Sequence, residues 1–506
     1  MNIRRRMFAI VLSLAFVLCL NTLAAAQSDT GSANSQQLTE VLRQIKALNE
    51  SLQKTRTELE QSRAEIRELK TCVANLTAAL PLASAMGQSA QPEPRSERVS
   101  AQAVTQEDLQ VLAARVEEQH QTKVESASKF RVKLSGMILL NGFGNAGQVD
   151  NIDLANVALR PRGASGGSTG GSMRQSIIGL TGFGPTIAGA HTSGDVQLDF
   201  FGGIPSGYAG VSSGLARLRL ARLRFDWKET SIIGGLDTPF FSPNSPTSYA
   251  TVGEPSLSSA GNLWTWTPSI RLEHRFDFES STWKIEAGLV DADGYGGYAP
   301  PVRYPTAAES SRQPSYSVRV SGNHGNAEHR LSVGIAGIYS PLRFYDRSKV
   351  NGAGVMVDWQ VPIGVHLETS GEFFTGKGLQ GFGGLPYSQV QAQDSLHYVV
   401  STAPLLARIG EIGGWSQMKI KVDARNEFNV AAGYGGYDSD EIRDAVDYDY
   451  YIATLPSRNQ SLLVNYILRP RSNLLLSAEY RRLRTTYVAG PPATADLVGV
   501  AAGFLF

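Results

Sequence analysis

The sequence predicts an all-β transmembrane barrel of about 16 antiparallel strands, preceded by an N-terminal α-helical coiled coil. Three observations predict this fold: an export signal at the amino terminus, alternating apolar and polar residues from residue 129 onward, and short connections that take turns with long ones. The boundaries that we expect are 1–26 for a signal peptide, 27–80 for the coiled coil, 81–128 for a linker with a short second helix, and 129–506 for the barrel.

The amino terminus has the three parts of a secretory signal peptide. Residues 4–6 are arginines, residues 7–20 are apolar, and residues 24–26 are alanines that suit a cleavage site. A retained membrane anchor is the alternative, but it needs about 20 apolar residues and Asn21 interrupts the run. Cleavage removes three arginines and no acid, so the formal net charge falls from +1 to about −2. This charge does not indicate a nucleic-acid partner.

Residues 38–80 carry an unbroken heptad repeat. Eleven of its thirteen a and d positions are apolar, and the residues between them are rich in Glu, Lys, Arg and Gln. Such a stripe is buried against another helix in a left-handed supercoil, and a solitary amphipathic helix is the alternative. Cys72 lies beside this seam and is the only cysteine left after cleavage, which excludes a disulfide within one chain. The a and d positions are Leu38, Val41, Ile45, Leu48, Leu52, Thr55, Leu59, Ser62, Ile66, Leu69, Val73, Leu76 and Leu80.

Alternation is the main evidence for strands. Residues 283–289, 331–339 and 365–373 each place apolar side chains on one face and polar or small ones on the other. In a soluble sandwich the apolar face would be the core, whereas in a membrane barrel it meets lipid and the polar face lines water. The strand spans that we expect are 130–144, 173–182, 191–202, 215–227, 231–239, 269–278, 281–292, 313–322, 327–339, 351–361, 363–375, 413–423, 426–437, 459–469, 473–487 and 495–506.

The connections and the carboxyl terminus favour the membrane barrel. Tight turns alternate along the chain with long polar stretches such as 238–268 and 377–411. Outer-membrane barrels show the same alternation of short periplasmic turns and long external loops. The chain stops inside a strand on an aromatic residue, which resembles the signal that the barrel-assembly machinery recognises. The apolar residues of that strand are Val498, Val500, Ala502, Phe504 and Phe506. An even strand number puts both ends of the barrel and the coiled coil in the periplasm, and about 16 strands leave an aqueous lumen.

The connection after the fifth strand is expected to narrow this lumen. Five prolines stiffen it: Pro239, Pro243, Pro246, Pro255 and Pro268. We expect so stiff and aromatic a loop to fold against the barrel wall, and an ordinary external loop is the alternative. The residues expected at the constriction are Asp237, Phe240, Phe241, Tyr249, Glu254, Trp264 and Trp266.

Arginines are expected to face the lumen on three strands. On the fourth strand two alternating runs are out of phase, so we expect a β-bulge near residues 220–222. Rings of arginine attract anions, and guanidinium suits carboxylate and phosphate. The alternative is an ordinary solvated lumen, with the cations balanced by Asp195, Asp199 and Glu286. The arginines expected in the lumen are Arg217, Arg219, Arg222, Arg224, Arg271, Arg275 and Arg319.

No catalytic motif is evident. The sequence contains no GxSxG, HExxH, paired-cysteine metal spacing or P-loop, and its seven histidines are scattered. We therefore expect neither an enzyme nor a cofactor. Asp447 and Asp449 could hold a calcium ion, but two nearby carboxylates are more typical of an acidic surface loop.

Short motifs along the chain resemble those of the DcaP-like outer-membrane porins. The motifs are Arg174-Gln175-Ser176, Gln197-Leu198-Asp199-Phe200-Phe201-Gly202, Leu218-Arg219-Leu220-Ala221 and the terminal Phe506. The resemblance implies a homotrimer of sixteen-stranded barrels, trimerised partly through the coiled coil, each with a pore for small anions including dicarboxylates. It also implies that Arg174, Asp199 and Arg219 line the pore. The sequence departs from the family after Gly234-Gly235, where Leu236-Asp237 replaces the amide-bearing segment that the resemblance implies. Asp237 and Glu254 would then put negative charge at the narrowest point.

Two other functions stay open at this stage. A sugar-specific or general porin is the first, and a sugar-specific porin would show a line of aromatic residues along the pore wall, for which Trp264 and Trp266 are the only sign. A structural or adhesive barrel anchor also joins a coiled coil to a barrel, but in trimeric adhesins each chain contributes only a few strands. We expect passive diffusion of small hydrophilic solutes, with self-association, outer-membrane lipid and small anionic solutes as partners.

Overall fold

The computed structural model describes residues 131–161, 166–203, 214–292, 298–299, 302–303, 305–325, 330–344, 346–386, 406–438, 440–442 and 455–506. The signal peptide, the coiled coil with Cys72, the linker with its second helix, and Asp447 and Asp449 lie outside these residues. Within the described part of the chain, no helix is both long and apolar enough to cross a membrane.

The described chain forms a closed antiparallel barrel of sixteen strands. Consecutive strands are hydrogen-bonded neighbours, and β1 closes the barrel by pairing with β16 from Met137–Leu505 to Ala146–Asp496. The strands are β1 Arg131–Ala146, β2 Gly167–Ser172 continued by Ile177–Ile187, β3 Ala190–Asp199, β4 Arg217–Asp226, β5 Thr230–Asp237, β6 Thr267–Asp277, β7 Ser281–Val290, β8 Ser315–His324, β9 Leu331–Arg343, β10 Lys349–Ile363, β11 Leu367–Lys377, β12 Gly410–Lys421, β13 Asn426–Tyr437, β14 Pro456–Arg471, β15 Leu474–Tyr487 and β16 Ala493–Leu505.

Strand β2 is longer than the sequence predicts, and it is interrupted. Its first segment, Gly167–Ser172, pairs with the upper half of β1, and its second segment pairs with the lower half. The first segment, GSTGGS, has no apolar alternation, so only the part from about residue 173 was expected. Residues 173–176 leave the ladder between the segments, which frees the side chain of Gln175 for the lumen.

The outer face of the barrel is a belt of exposed apolar side chains. Ile138 and Leu140 on β1, Leu223 on β4, and Ile335 on β9 are about half exposed, and their neighbours in sequence turn inward. A soluble sheet would bury this face, whereas a membrane barrel presents it to lipid. The alternation predicted from the sequence therefore has its apolar side outward.

The two ends of the barrel differ. One end has short turns such as Ala188–Gly189, residues 227–229 and residues 472–473, and it also holds both termini of the barrel. The other end carries the long connections, among them residues 238–266 and 378–409. This asymmetry matches short periplasmic turns and long external loops.

Two local expectations are corrected by the strand register. The bulge in β4 lies at Arg219, between Leu218 and Leu220, slightly before the predicted position. Strand β11 starts at Leu367 and not at residue 363, because Gly364 has a φ of +67° and begins the turn after β10. Val365 and His366 therefore belong to one of the short turns.

Smaller elements occur in the external connections. Gln148–Val149 pairs with Ala158–Leu159, and Tyr298–Ala299 pairs with Val302–Arg303. Helix α1, Ala307–Ser311, starts with a capping box between Thr306 and Glu309.

Candidate functional site: the constriction of the lumen

The connection between β5 and β6, residues 238–266 and here called the constriction loop, folds into the barrel. Because this loop lacks regular secondary structure, its backbone groups need other hydrogen-bond partners. Inward polar side chains of the wall provide them. Asn244 N donates to Glu372 Oε1 on β11 (2.7 Å), and Thr247 N donates to Gln417 Oε1 on β12 (2.7 Å).

The loop then crosses to the opposite wall. The amide of Asn465 on β14 donates to the carbonyl of Thr247, and the amide of Asn141 on β1 donates to that of Tyr249, both at 2.8 Å. Gln175 Oε1, freed by the break in β2, accepts from Val252 N (2.5 Å) and Gly253 N (2.9 Å). The loop is therefore attached to the wall from β11 around to β2.

The returning half of the loop packs on another external segment. Gly261 N donates to Gly384 O (2.8 Å), and Trp264 N donates to Phe382 O (2.9 Å). Phe241 and Phe382 meet edge to face, with ring centroids 5.0 Å apart. Phe240, Phe241, Leu263 and Phe382 belong to one buried apolar cluster, which fixes the loop against the β11 side of the barrel.

The wall from β3 to β10 carries a network of charges. It runs from Asp195 to Arg222 (2.9 Å), from Arg222 to Asp237 (3.1 Å) and from Asp237 to Arg271 (2.8 Å). It continues from Arg271 to Glu286 (3.6 Å), from Glu286 to Arg319 (2.9 Å) and from Arg319 to Asp358 (2.8 Å). The last pair crosses β9 at Gly334, where a Cβ atom would lie 2.3 Å from Asp358.

Cations and carboxylates of this network differ in exposure. The side chains of Arg222, Arg224 and Lys284 are 34%, 37% and 25% exposed. The side chain of Asp237, which pairs with Arg222, is only 2% exposed, and that of Glu286, which pairs with Lys284, is only 3% exposed. Asp195 and Asp226 are the more exposed acids, at 27% and 29%. The charges nearly balance, but the cations contribute more of the surface that faces water.

The other arginines expected in the lumen hold structure together. Arg217 and Arg219 both pair with the fully buried Asp199, and they donate to the carbonyls of Gly253 and Val252 in the constriction loop. Arg174 is buried and pairs with Asp153 in the connection after β1. Their role in solute passage stays a prediction.

The remaining predicted pore residues have these positions. Arg275 is about one-fifth exposed and pairs with Glu273 at 2.8 Å, whereas Arg319 is buried in the network. Glu254 accepts a hydrogen bond from Asn156 at 2.8 Å. Asp237 is buried between two guanidinium groups, whereas the partner shown for Glu254 is a neutral amide.

The aromatic residues of the loop do not form a line. Phe240 and Phe241 are buried, and Tyr249 stacks with Arg469 on β14, with the guanidinium carbon 5.9 Å from the ring centroid. Trp264 and Trp266 meet edge to face at 5.2 Å. Trp266 also lies under the guanidinium groups of Arg217 (5.1 Å) and Arg219 (4.5 Å).

The terminal strand has the geometry that the sequence predicts for it. Val498, Val500, Phe504 and Phe506 are each about half exposed on the outer face. Phe506 also exchanges two backbone hydrogen bonds with Gly136 on β1, at 2.9 and 3.1 Å.

Sequence reasoning missed the residues that hold the loop. Gln175, Glu372, Gln417, Asn465 and Glu479 are inward polar side chains with loop atoms as hydrogen-bond partners. Lys284, paired with Glu286 at 3.0 Å, was also not selected for the pore. Their inward phase was visible in the alternation, but their partners are far away in sequence.

Fold and site together define a transmembrane barrel whose lumen is narrowed by a charged wall and an inserted loop. The outer-membrane channel DcaP of Acinetobacter baumannii has this fold, with a TM-score of 0.55 and 16% identity over 75% of this chain and 99% of that one. The anion-selective porin from Comamonas acidovorans (TM-score 0.45, 13% identity, 75% and 100% covered) and Pseudomonas putida OprB (0.47, 9%, 77% and 97%) are looser matches. No family model and no curated protein sequence matches the chain.

Proposed function

We propose that this protein is an outer-membrane porin, a passive diffusion channel for small hydrophilic solutes that prefers small anions such as dicarboxylates. The constriction loop supports a narrowed channel, because it occupies one side of the lumen and leaves the charged wall from β3 to β10 facing water. The similarity to the DcaP channel supports the barrel fold that such a function needs.

The observation that carries the anion preference is the difference in exposure along this wall. A solute in the lumen meets the guanidinium groups of Arg222 and Arg224 and the amine of Lys284, together with their less exposed partners Asp195 and Asp226. Asp237 and Glu286 lie behind these side chains. A charge near the surface acts on a passing ion more strongly than one that is already paired and buried. Guanidinium also matches carboxylate in shape, so two separated arginines suit a dicarboxylate.

The experiment is the reversal potential of the purified protein in a planar bilayer under a KCl gradient. The wild type is expected to be anion-selective, and R222Q/R224Q is expected to shift the reversal potential toward cation selectivity, because Asp195 and Asp226 lose their partners. The matched control K228Q/K349Q also removes two positive charges, but it does so in a periplasmic turn and on the outer face at the external end of β10. Cation selectivity of the wild type would contradict the proposal.

The remaining parts of the chain complete the proposal. Residues 1–26 act as a cleaved signal peptide, residues 27–80 form a periplasmic coiled coil, residues 81–128 link it to the barrel, and three copies assemble. The terminal strand is recognised by the barrel-assembly machinery. Chemical cross-linking in mild detergent tests the trimer, and a purified protein that stays monomeric would contradict it.

A further inference from the structure

The outer face of the barrel carries a basic patch at the external ends of β14 and β15. Arg482 and Arg484 point outward from β15, and Arg458 does so from β14, where it stands opposite Thr486. Residues two apart on one strand face, and diagonal neighbours across two strands, are about 7 Å apart. Arg484 is therefore a neighbour of both Arg482 and Arg458 on the outer face, and the three arginines are here called the rim patch.

Only one described carboxylate forms an ion pair with the rim patch. Asp496 on β16 lies 3.7 Å from Arg482, and the side chain of Arg482 is still 57% exposed. Asp496 also accepts a hydrogen bond from the hydroxyl of Tyr480 at 2.6 Å. Among the residues that the structure describes, no carboxylate forms an ion pair with Arg484 or Arg458, although Arg458 is near enough to help lower the pKa of Asp438 at the end of β13. The three arginines still outnumber the two acids beside them, so the patch has a net positive charge.

The height of the rim patch relates it to the membrane surface. From Leu474 at the short-turn end, Arg484 is ten residues along β15, which corresponds to about 25 Å along the barrel axis at the usual strand rise and tilt. That equals the height of the apolar band of an outer-membrane barrel. Below the patch the outer face is apolar, with Leu476 on β15, Val464 on β14, and Val498 and Val500 on β16.

We propose that the rim patch binds the phosphate groups of a phosphorylated glycolipid in the outer leaflet. Guanidinium groups donate paired hydrogen bonds to phosphate oxygens, and the apolar strip below the patch fits the acyl chains of the same molecule. The patch lies on the outer surface and not in the lumen, so it is separate from the solute pathway. The inference rests on the outer-membrane location in the proposed function, but not on the pore or its selectivity.

The test is a binding titration of the purified full chain in detergent with bis-phosphorylated lipid A. R482Q/R484Q is expected to weaken binding by about tenfold or more. The control K228Q/R425Q loses the same charge in two exposed turns at the short-turn end, and it is expected to bind like the wild type. Lipid A without phosphates is expected to bind all three proteins with the same weak affinity. Equal affinity of R482Q/R484Q and the wild type, or binding that does not depend on the phosphates, would overturn the proposal.

Two further measurements distinguish lipid binding by the rim patch from a folding defect and from contact between copies. The heat-dependent gel mobility of each variant shows whether the barrel is folded. If R482Q/R484Q does not fold, the single variant R484Q replaces it in the binding titration. If R482Q/R484Q binds lipid A normally but dissociates into smaller oligomers, the patch is an interface between copies and the proposal is wrong. Loss of lipid binding with an unchanged reversal potential supports the rim patch, whereas altered ion selectivity with normal lipid binding overturns it.

Discussion

Asp237 decides how much negative charge the pore wall presents. Each of its two carboxylate oxygens pairs with a different guanidinium group, that of Arg222 on β4 and that of Arg271 on β6. Its side chain is almost fully buried, and the two nearby guanidinium charges offset its negative charge within the wall. Asp237 therefore holds one arginine on β4 and one on β6, and its effect on anion passage stays a prediction.

Replacing Asp237 by asparagine is expected to strengthen anion selectivity. The substitution keeps the shape of the side chain but leaves Arg222 and Arg271 with one fewer carboxylate, so the wall becomes more positive. The reversal potential under a salt gradient measures this change. The control is D423N, the same substitution in a fully exposed periplasmic turn, and a D237N pore with unchanged selectivity would contradict the argument.

Gly261 allows the constriction loop to touch the wall. Its φ is +97°, and a Cβ atom would lie 2.2 Å from the carbonyl oxygen of Gly414 on β12. We expect G261A to lower the free energy of unfolding by roughly 2 kcal/mol or more, because both the backbone conformation and the contact become strained. Urea unfolding measures the loss. G144A, at a glycine of β1 with nothing within 4 Å, is the control and is expected to be neutral.

At the scale of elements, the constriction loop is positioned by the wall more than by its own sequence. Its prolines limit the backbone, but the direction of the loop follows from acceptors and donors on several strands, among them Glu372, Gln417 and Gln175. Such hydrogen bonds contribute about 1 kcal/mol each, and more where a buried group would be left without a partner. Removing one of these wall-to-loop hydrogen bonds should therefore alter the conductance of the pore without unfolding the barrel.

Gln175 is the anchor with the clearest prediction. Q175A leaves the backbone N–H groups of Val252 and Gly253 without their acceptor, at a cost of about 1–3 kcal/mol for buried donors. We expect a larger and noisier single-channel conductance, because this part of the loop moves away from the wall. Q313A, in an exposed external connection, makes the same change without touching the loop. Equal conductance of Q175A and the wild type would show that Gln175 does not hold the constriction.

At the scale of the whole molecule, closure of the barrel depends on the last strand. Strand β16 pairs with β15 on one side and with β1 on the other, and Phe506 adds two hydrogen bonds to Gly136. Closure removes the two free sheet edges that an open sheet would expose to lipid. The terminal residue therefore belongs both to the seam of the barrel and to the predicted assembly signal.

Replacing Phe506 by alanine is expected to lower the amount of folded protein in the outer membrane several-fold. The expectation follows from the terminal aromatic residue as a recognition signal, and quantitative blotting of membrane fractions measures it. F278A is a matched control, because Phe278 is also an exposed aromatic residue at the short-turn end. Normal levels of F506A would remove the support for the signal.

The strands could be predicted because alternation is local. A period of two residues identifies a strand and its outward face without knowledge of the neighbours, so sixteen strands were found at nearly the right positions. The first segment of β2 was missed because GSTGGS has no apolar residues to alternate. The phase change in β4 predicts a bulge, and the structure has this bulge at Arg219, slightly before the predicted position.

The sequence by itself determined which side chains point into the lumen, because facing inward or outward depends only on the phase of each strand. Only the tertiary structure decided which of these charges stay open to a solute. Asp199 pairs with two arginines, Asp237 pairs with two more, and Gly334 lets Arg319 reach Asp358 across a strand. These partners come from separate strands, so their distances depend on the strand register and on barrel closure, which are set by contacts between residues far apart in the chain.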